Sequence, residues 1–148
     1  MRHVALLCAA SLMLSACTSL TTGSTQPAMD AGPRLQAHRW ELMYWEGTAV
    51  PHGDNGEPVI LTFAEGRVSG HTGCNRSSAG YELDAAAMQL RILAPMSTRM
   101  ACEEGRMAFE AALLKALQGV RTLRFEGPHL YLEAPGQAAL KLHERELQ

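Results

Sequence analysis

Beyond residue 36, most of the chain alternates apolar and polar side chains with a period of two. Residues 39–45 read Arg-Trp-Glu-Leu-Met-Tyr-Trp, which puts Trp40, Leu42 and Tyr44 on one face and predicts a first strand. Residues 59–64 turn Val59, Leu61 and Phe63 inward, and Glu65-Gly66 bends the chain into 67–71, so a hairpin is expected. Short strands follow at 81–84 and 88–93. The one helical period lies in 103–118, where Phe109, Ala112, Leu113, Ala116 and Leu117 share a stripe that Val120 extends. Glu103 and Glu104 favour the positive N-terminal end of that helix, and Gly119 suits its C-cap. Strands at 121–125, 129–133 and 138–143 complete the pattern, with Pro135-Gly136 turning between the last two. The expected fold is α+β, a mostly antiparallel curved sheet or small open barrel with one packed helix.

The N-terminus follows another rule. Arg2 precedes an apolar run, 4–14, broken only by Ser11. At about 11 residues it has the length of a signal-peptide core and falls short of the roughly 20 that span a bilayer. Leu14-Ser15-Ala16-Cys17 has the order of a bacterial lipobox, whose cysteine is acylated and becomes the first mature residue. Ordinary secretory cleavage leaving Cys17 as a free thiol is the alternative. Residues 1–16 are read as a lipoprotein signal peptide. In lipoproteins of that kind the residue after the cysteine influences sorting, and the resemblance implies that Thr18, not an aspartate, points to the outer membrane if the source is Gram-negative. The chain would then be lipid-anchored through Cys17 and face the periplasm, held durably by more than one acyl chain. Residues 17–35, rich in Thr, Ser, Gly, Ala and Pro, are expected to form a flexible tether, and 36–148 the folded domain.

Length and charge narrow the classes further. A chain of 148 residues with 47% apolar and 19% charged positions is one ordinary domain. Thirteen basic against 15 acidic groups give a net charge of −2, which argues against nucleic acid as a partner. With 3 Phe, 2 Trp and 3 Tyr, a base-stacking platform is also excluded.

Cys8 leaves with the signal and Cys17 carries lipid, so Cys74 and Cys102 remain as an even pair in an exported protein. A disulfide between them would restrict the unfolded chain by about 3.5 kcal/mol. Two buried thiols packing as small apolar groups is the other reading. His71, Cys74 and Cys102 supply three zinc-type ligands, but a structural site wants four and nothing completes it. Cys74 with His71 as base lacks an orienting partner. Glu82 and Glu133 could approach across strands, although paired carboxylates on a sheet usually face solvent. Hydrolase, phosphate-loop and zinc-protease signatures are missing, so no enzyme, cofactor or metal is expected.

Several blocks carry a more specific likeness. They run His38-Arg39-Trp40-x-Leu42, then Thr62-Phe63, then Val68-Ser69-Gly70-x-x-Gly73-Cys74-Asn75-Arg76. Pro95-Met96-Ser97-Thr98-Arg99-Met100-Ala101-Cys102 follows, then Leu130-x-Leu132 and Leu140-x-Leu142. In order and spacing the chain resembles the META/HslJ family (the DUF306 domain), often found in bacterial lipoproteins. It departs at Ser77-Ser78-Ala79-Gly80, where the family commonly has an aromatic followed by Ser-Gly. The resemblance implies a small β-rich domain with one helix and no established catalytic activity. It also implies links to envelope stress, heat shock and novobiocin tolerance. The family motif residues are Gly73, Cys74, Asn75, Thr98, Arg99, Met100 and Cys102. Gly73 and Asn75 suit a tight turn, Thr98 could satisfy its donors, and Arg99 could pair with a buried carboxylate. Two functions remain open. One is a non-enzymatic binding or scaffold module for an envelope protein or small amphiphilic ligand. The other is an inhibitor of an external lysozyme or protease presenting the loop 47–56.

Overall fold

The computed structural model describes residues 31–45, 47–53 and 56–147. The signal peptide, the lipid-bearing Cys17 and the tether as far as residue 30 lie outside the described residues. The strands, in chain order, are β1 (Arg39–Trp45), β2 (Ile60–Ala64), β3 (Arg67–His71), β4 (Arg76–Asp84), β5 (Gln89–Ile92), β6 (Met96–Ser97), β7 (Thr122–Glu126), β8 (His129–Glu133) and β9 (Leu140–Arg145). Helices are α1 (Ala31–Gln36) and α2 (Glu104–Gly119). The spatial order is β3-β2-β1-β9-β8-β7-β5-β4-β6, and a further β3–β4 pairing brings the ends together. Every pairing is antiparallel. The expected α+β curved sheet with one packed helix is therefore the fold, drawn into a ring.

Alternation builds the core. Trp40 and Leu42 of β1, Leu61 and Phe63 of β2, Leu130 and Leu132 of β8, and Leu140 and Leu142 of β9 all point inward. The β2–β3 hairpin turns on Glu65 and Gly66, both at positive φ, the two-residue turn whose twist suits flanking strands. Helix α2 buries Phe109, Leu113, Ala116 and Leu117 against the sheet. That interface is tight, leaving a void of about 10 Å³ among Leu61, Val68, Ile92, Leu114 and Leu117.

Three expectations need correction. The domain does not begin at residue 36: Ala31–Gln36 is helical, with Ala31 and the fully buried Leu35 on one face. The Leu35 carbonyl accepts the Trp40 indole N–H at 2.9 Å. Gly32 and Pro33 made this segment read as tether, yet proline is tolerated in a first helical turn. Tyr44 does not share the face of Trp40 and Leu42. The β1–β9 register slips between Leu42 and Tyr44, leaving Tyr44 56% exposed and turning Trp45 toward the core. On α2, Ala112 is exposed and Glu110 is buried, and the helix runs through Gly119 so that Val120 is its C-cap.

Candidate functional site

The motif residues meet at one junction. The turn after β3 carries Gly73, Cys74 and Asn75, and the segment after β6 carries Thr98 to Cys102. Gly73 has φ +108, and a Cβ there would stand 3.0 Å from the Phe109 ring. Gly73→Ala should therefore lower stability by about 1–3 kcal/mol, measurable by urea unfolding. Cys74 and Cys102 are bonded to each other, their Cα atoms 5.9 Å apart. With both sulfurs so joined, the zinc and nucleophile readings of this pair lose their thiolates. His71 instead accepts the Gly73 N–H at 3.4 Å through Nδ1.

At the centre lies a carboxylate to which the sequence reading assigned no role. Glu110 of α2 is 6% exposed. Its Oε2 accepts the backbone N–H groups of Asn75 at 2.6 Å and Cys74 at 3.2 Å, and lies 3.1 Å from the Thr72 hydroxyl. Its Oε1 accepts Asn75 Nδ2 at 2.9 Å and the Ser97 hydroxyl at 3.0 Å. Burial alone would raise the pKa of Glu110, but the Asn75 backbone and side-chain bonds, with Ser97 and Thr72, outweigh it and hold the carboxyl below its ordinary value. A signal for it was present: Leu113, Leu114 and Leu117 stand three, four and seven residues further on, which places Glu110 beside the apolar face.

Asn75 joins the two motif segments. Its Oδ1 accepts the Met100 N–H at 2.7 Å and the Thr98 hydroxyl at 2.9 Å, while Thr98 Oγ1 accepts the Arg76 N–H at 3.2 Å. Thr98 thus satisfies turn donors as expected. Arg99 does not pair with the buried carboxylate; it is exposed, and neutral donors surround Glu110. The Met100 side chain is likewise exposed. Arg99→Ala should change stability by no more than about 0.5 kcal/mol. Any loss of cellular function in that variant then reports a contact with another molecule.

A second feature lies on the solvent side of β1, β8 and β9. There a shallow groove of about 780 Å³ is lined by Met43, Tyr44, His129, Tyr131, Lys141, His143 and Arg145, with Ala138 and Ala139 at one end. The Arg124 guanidinium sits 4.0 Å from the Tyr131 ring centre, and Lys141 Nζ lies 5.8 Å from it. Among the described residues no carboxylate lines this groove. Glu82 and Glu133 are apart, the first pairing with Arg91 and the second with Arg124. In the loop considered for an inhibitor, 47–56, residues 54 and 55 lie outside the described residues. Val50 packs on the core, and Pro51 lies near Gly73.

The META domain profile matches residues 33–146. The chain belongs to the META domain family. Its motif junction is thus part of a META fold, closed by sulfur on one side and by Glu110 on the other. Among solved structures, it is similar to the NMR structure of a protein from Burkholderia xenovorans, with 29% identity and a TM-score of 0.64 over 78% of this chain and 86% of that one. A second NMR structure matches at 23% identity and TM-score 0.60 over 75% and 92% of the two chains. The crystal structure of a DUF4847 family protein from Bacteroides vulgatus matches at 12% identity and TM-score 0.52 over 77% and 96%. The last two likenesses concern the fold alone. A search of the curated proteins finds no significant match.

Proposed function

We propose that this META-domain chain is a lipoprotein anchored to the outer membrane through Cys17, and that its domain is a non-catalytic binding module serving envelope stress tolerance, including heat and novobiocin. The lipobox order at residues 14–17 supports the anchor, and the family resemblance supports the stress role. The observation that carries the binding reading is the groove on β1, β8 and β9, where the exposed Tyr44 ring and the Arg124-stacked Tyr131 ring lie beside basic side chains. Among the described residues the pocket beside Leu114 and Leu117, between helix and sheet, holds only about 10 Å³, too little for an amphiphile, which favours an occupant on the outer face. An envelope component with an apolar or sugar-like face and negative charge fits that surface.

The test is a strain lacking the gene, complemented with wild type, Cys17→Ala or Tyr44→Ala/Tyr131→Ala, and challenged with novobiocin and heat. Wild type should restore survival, and the groove variant should accumulate in the membrane without restoring it. Cys17→Ala should lose palmitate labelling and membrane fractionation. Equal survival with and without the gene would refute the stress role. Full rescue by the groove variant would remove the groove from the function.

A further inference from the structure

His129 of β8 and His143 of β9 are register partners on adjacent antiparallel strands. Both side chains line the solvent-facing groove, so their rings face the same side of the sheet. The ring centres stand 5.2 Å apart, with the planes inclined at 55°. Neither imidazole is hydrogen-bonded to another described residue. We propose that the two form a cross-strand clip for a divalent ion of the zinc type.

The spacing fits a tetrahedral ion. A metal–nitrogen bond of about 2.0–2.1 Å plus the ring radius puts the ion about 3.2 Å from each ring centre, and two rings 5.2 Å apart then subtend about 109°, the tetrahedral angle zinc prefers. The final torsion of histidine is broad, so either ring nitrogen can turn toward the shared point at small cost. The strands fix the backbone, so little freedom remains to be lost on binding.

The neighbouring charges are set by strand register. Glu41 on β1 pairs in register with His143, and Glu126 on β7 pairs in register with His129. Across four adjacent strands this makes a carboxylate–imidazole–imidazole–carboxylate row, in which each outer carboxylate is balanced by an arginine while Lys141 also lines the groove, so the two imidazoles and not the surrounding charge carry the site. Arg145 holds Glu41 and Arg124 holds Glu126, and among the described residues no three His, Cys, Asp or Glu groups converge as a closed cage. The clip therefore supplies two ligands and leaves the remaining positions to water or to an anionic group of whatever occupies the groove. It does not depend on the stress role or on the identity of that occupant.

The experiment is denaturant unfolding of the full-length chain with and without Zn²⁺, using wild type, His129→Ala, His143→Ala and the control His52→Ala. Zn²⁺ held elsewhere contributes equally to all four. The clip exists only when the strands are paired, so free Zn²⁺ at one hundred times its dissociation constant should lower the wild-type unfolding constant about 100-fold. His52→Ala should keep that effect, and either groove variant should lose it. No shift in wild type at millimolar Zn²⁺, or an equal shift in both groove variants, overturns the proposal. If a groove variant does not fold, the His129 and His143 ring signals of wild type followed by NMR decide. Their joint movement on adding Zn²⁺ supports the clip, and movement of neither overturns it.

Discussion

Replacing Glu110 by alanine should cost about 4 kcal/mol of unfolding free energy, a large share of the roughly 5–15 kcal/mol that holds a domain of this size together. The loss comes from what is left behind. The Asn75 and Cys74 N–H groups and the Asn75 amide all donate to this carboxylate in the interior. Each buried donor without a partner costs about 1–3 kcal/mol. Glu110→Gln keeps the volume but puts an NH₂ where an acceptor is needed, so it should recover only part of the stability. The pH dependence has a definite sign. Desolvation pushes the Glu110 pKa up, yet the Asn75, Ser97 and Thr72 bonds bring the folded value below the 4.5 of the free group. Its contribution is therefore complete above the unfolded value and disappears as pH falls through the lower folded value. Urea unfolding from pH 7 to pH 3 should show wild type losing stability over that acidic window more steeply than Glu110→Gln. Parallel curves would show that the carboxylate contributes nothing through its charge.

Removing the disulfide ranks next. With Cys74 and Cys102 at a sequence separation of 28, opening the bridge frees a loop worth about 3.5 kcal/mol of unfolded-chain entropy. Cys74→Ser/Cys102→Ser, or wild type in reductant, should shift the unfolding midpoint accordingly. The effect is not independent of Glu110, because the Cys74 N–H donates to that carboxylate. The bridge and the buried anion hold the same turn, so a variant lacking both should lose less than the two separate costs added together, with a coupling of about 0.5–3 kcal/mol. Simple additivity would mean that the turn after β3 is held by each device separately.

Most strands were readable because a half-buried sheet imposes a strict period. Leu61 and Phe63, or Leu130 and Leu132, have no second way to alternate without exposing both. The errors fall where a local rule met a tertiary contact. At Tyr44 a one-residue slip in pairing with β9 reversed the faces, and nothing in the side chains of 39–45 marks that slip. In Ala31–Gln36 a composition rich in small residues hid Leu35, which is buried because Trp40 and the sheet cover it. Glu110 was passed over because a lone glutamate on a helix normally faces water; only the folded chain shows five neutral donors converging on it.

By itself the amino-acid order determined the strand alternation, the single long helix, the even cysteine pair and the two motif blocks of the META domain, since all of these are short-range periodicities or spacings. Ring closure through β3 and β4, the separation of Arg99 from the buried carboxylate, the burial of Glu110 and the meeting of His129 with His143 were decided only in three dimensions. Each of them depends on which strands become neighbours. Side-chain period reports the face a residue takes within its own strand, but it carries no information on the residue that will stand opposite.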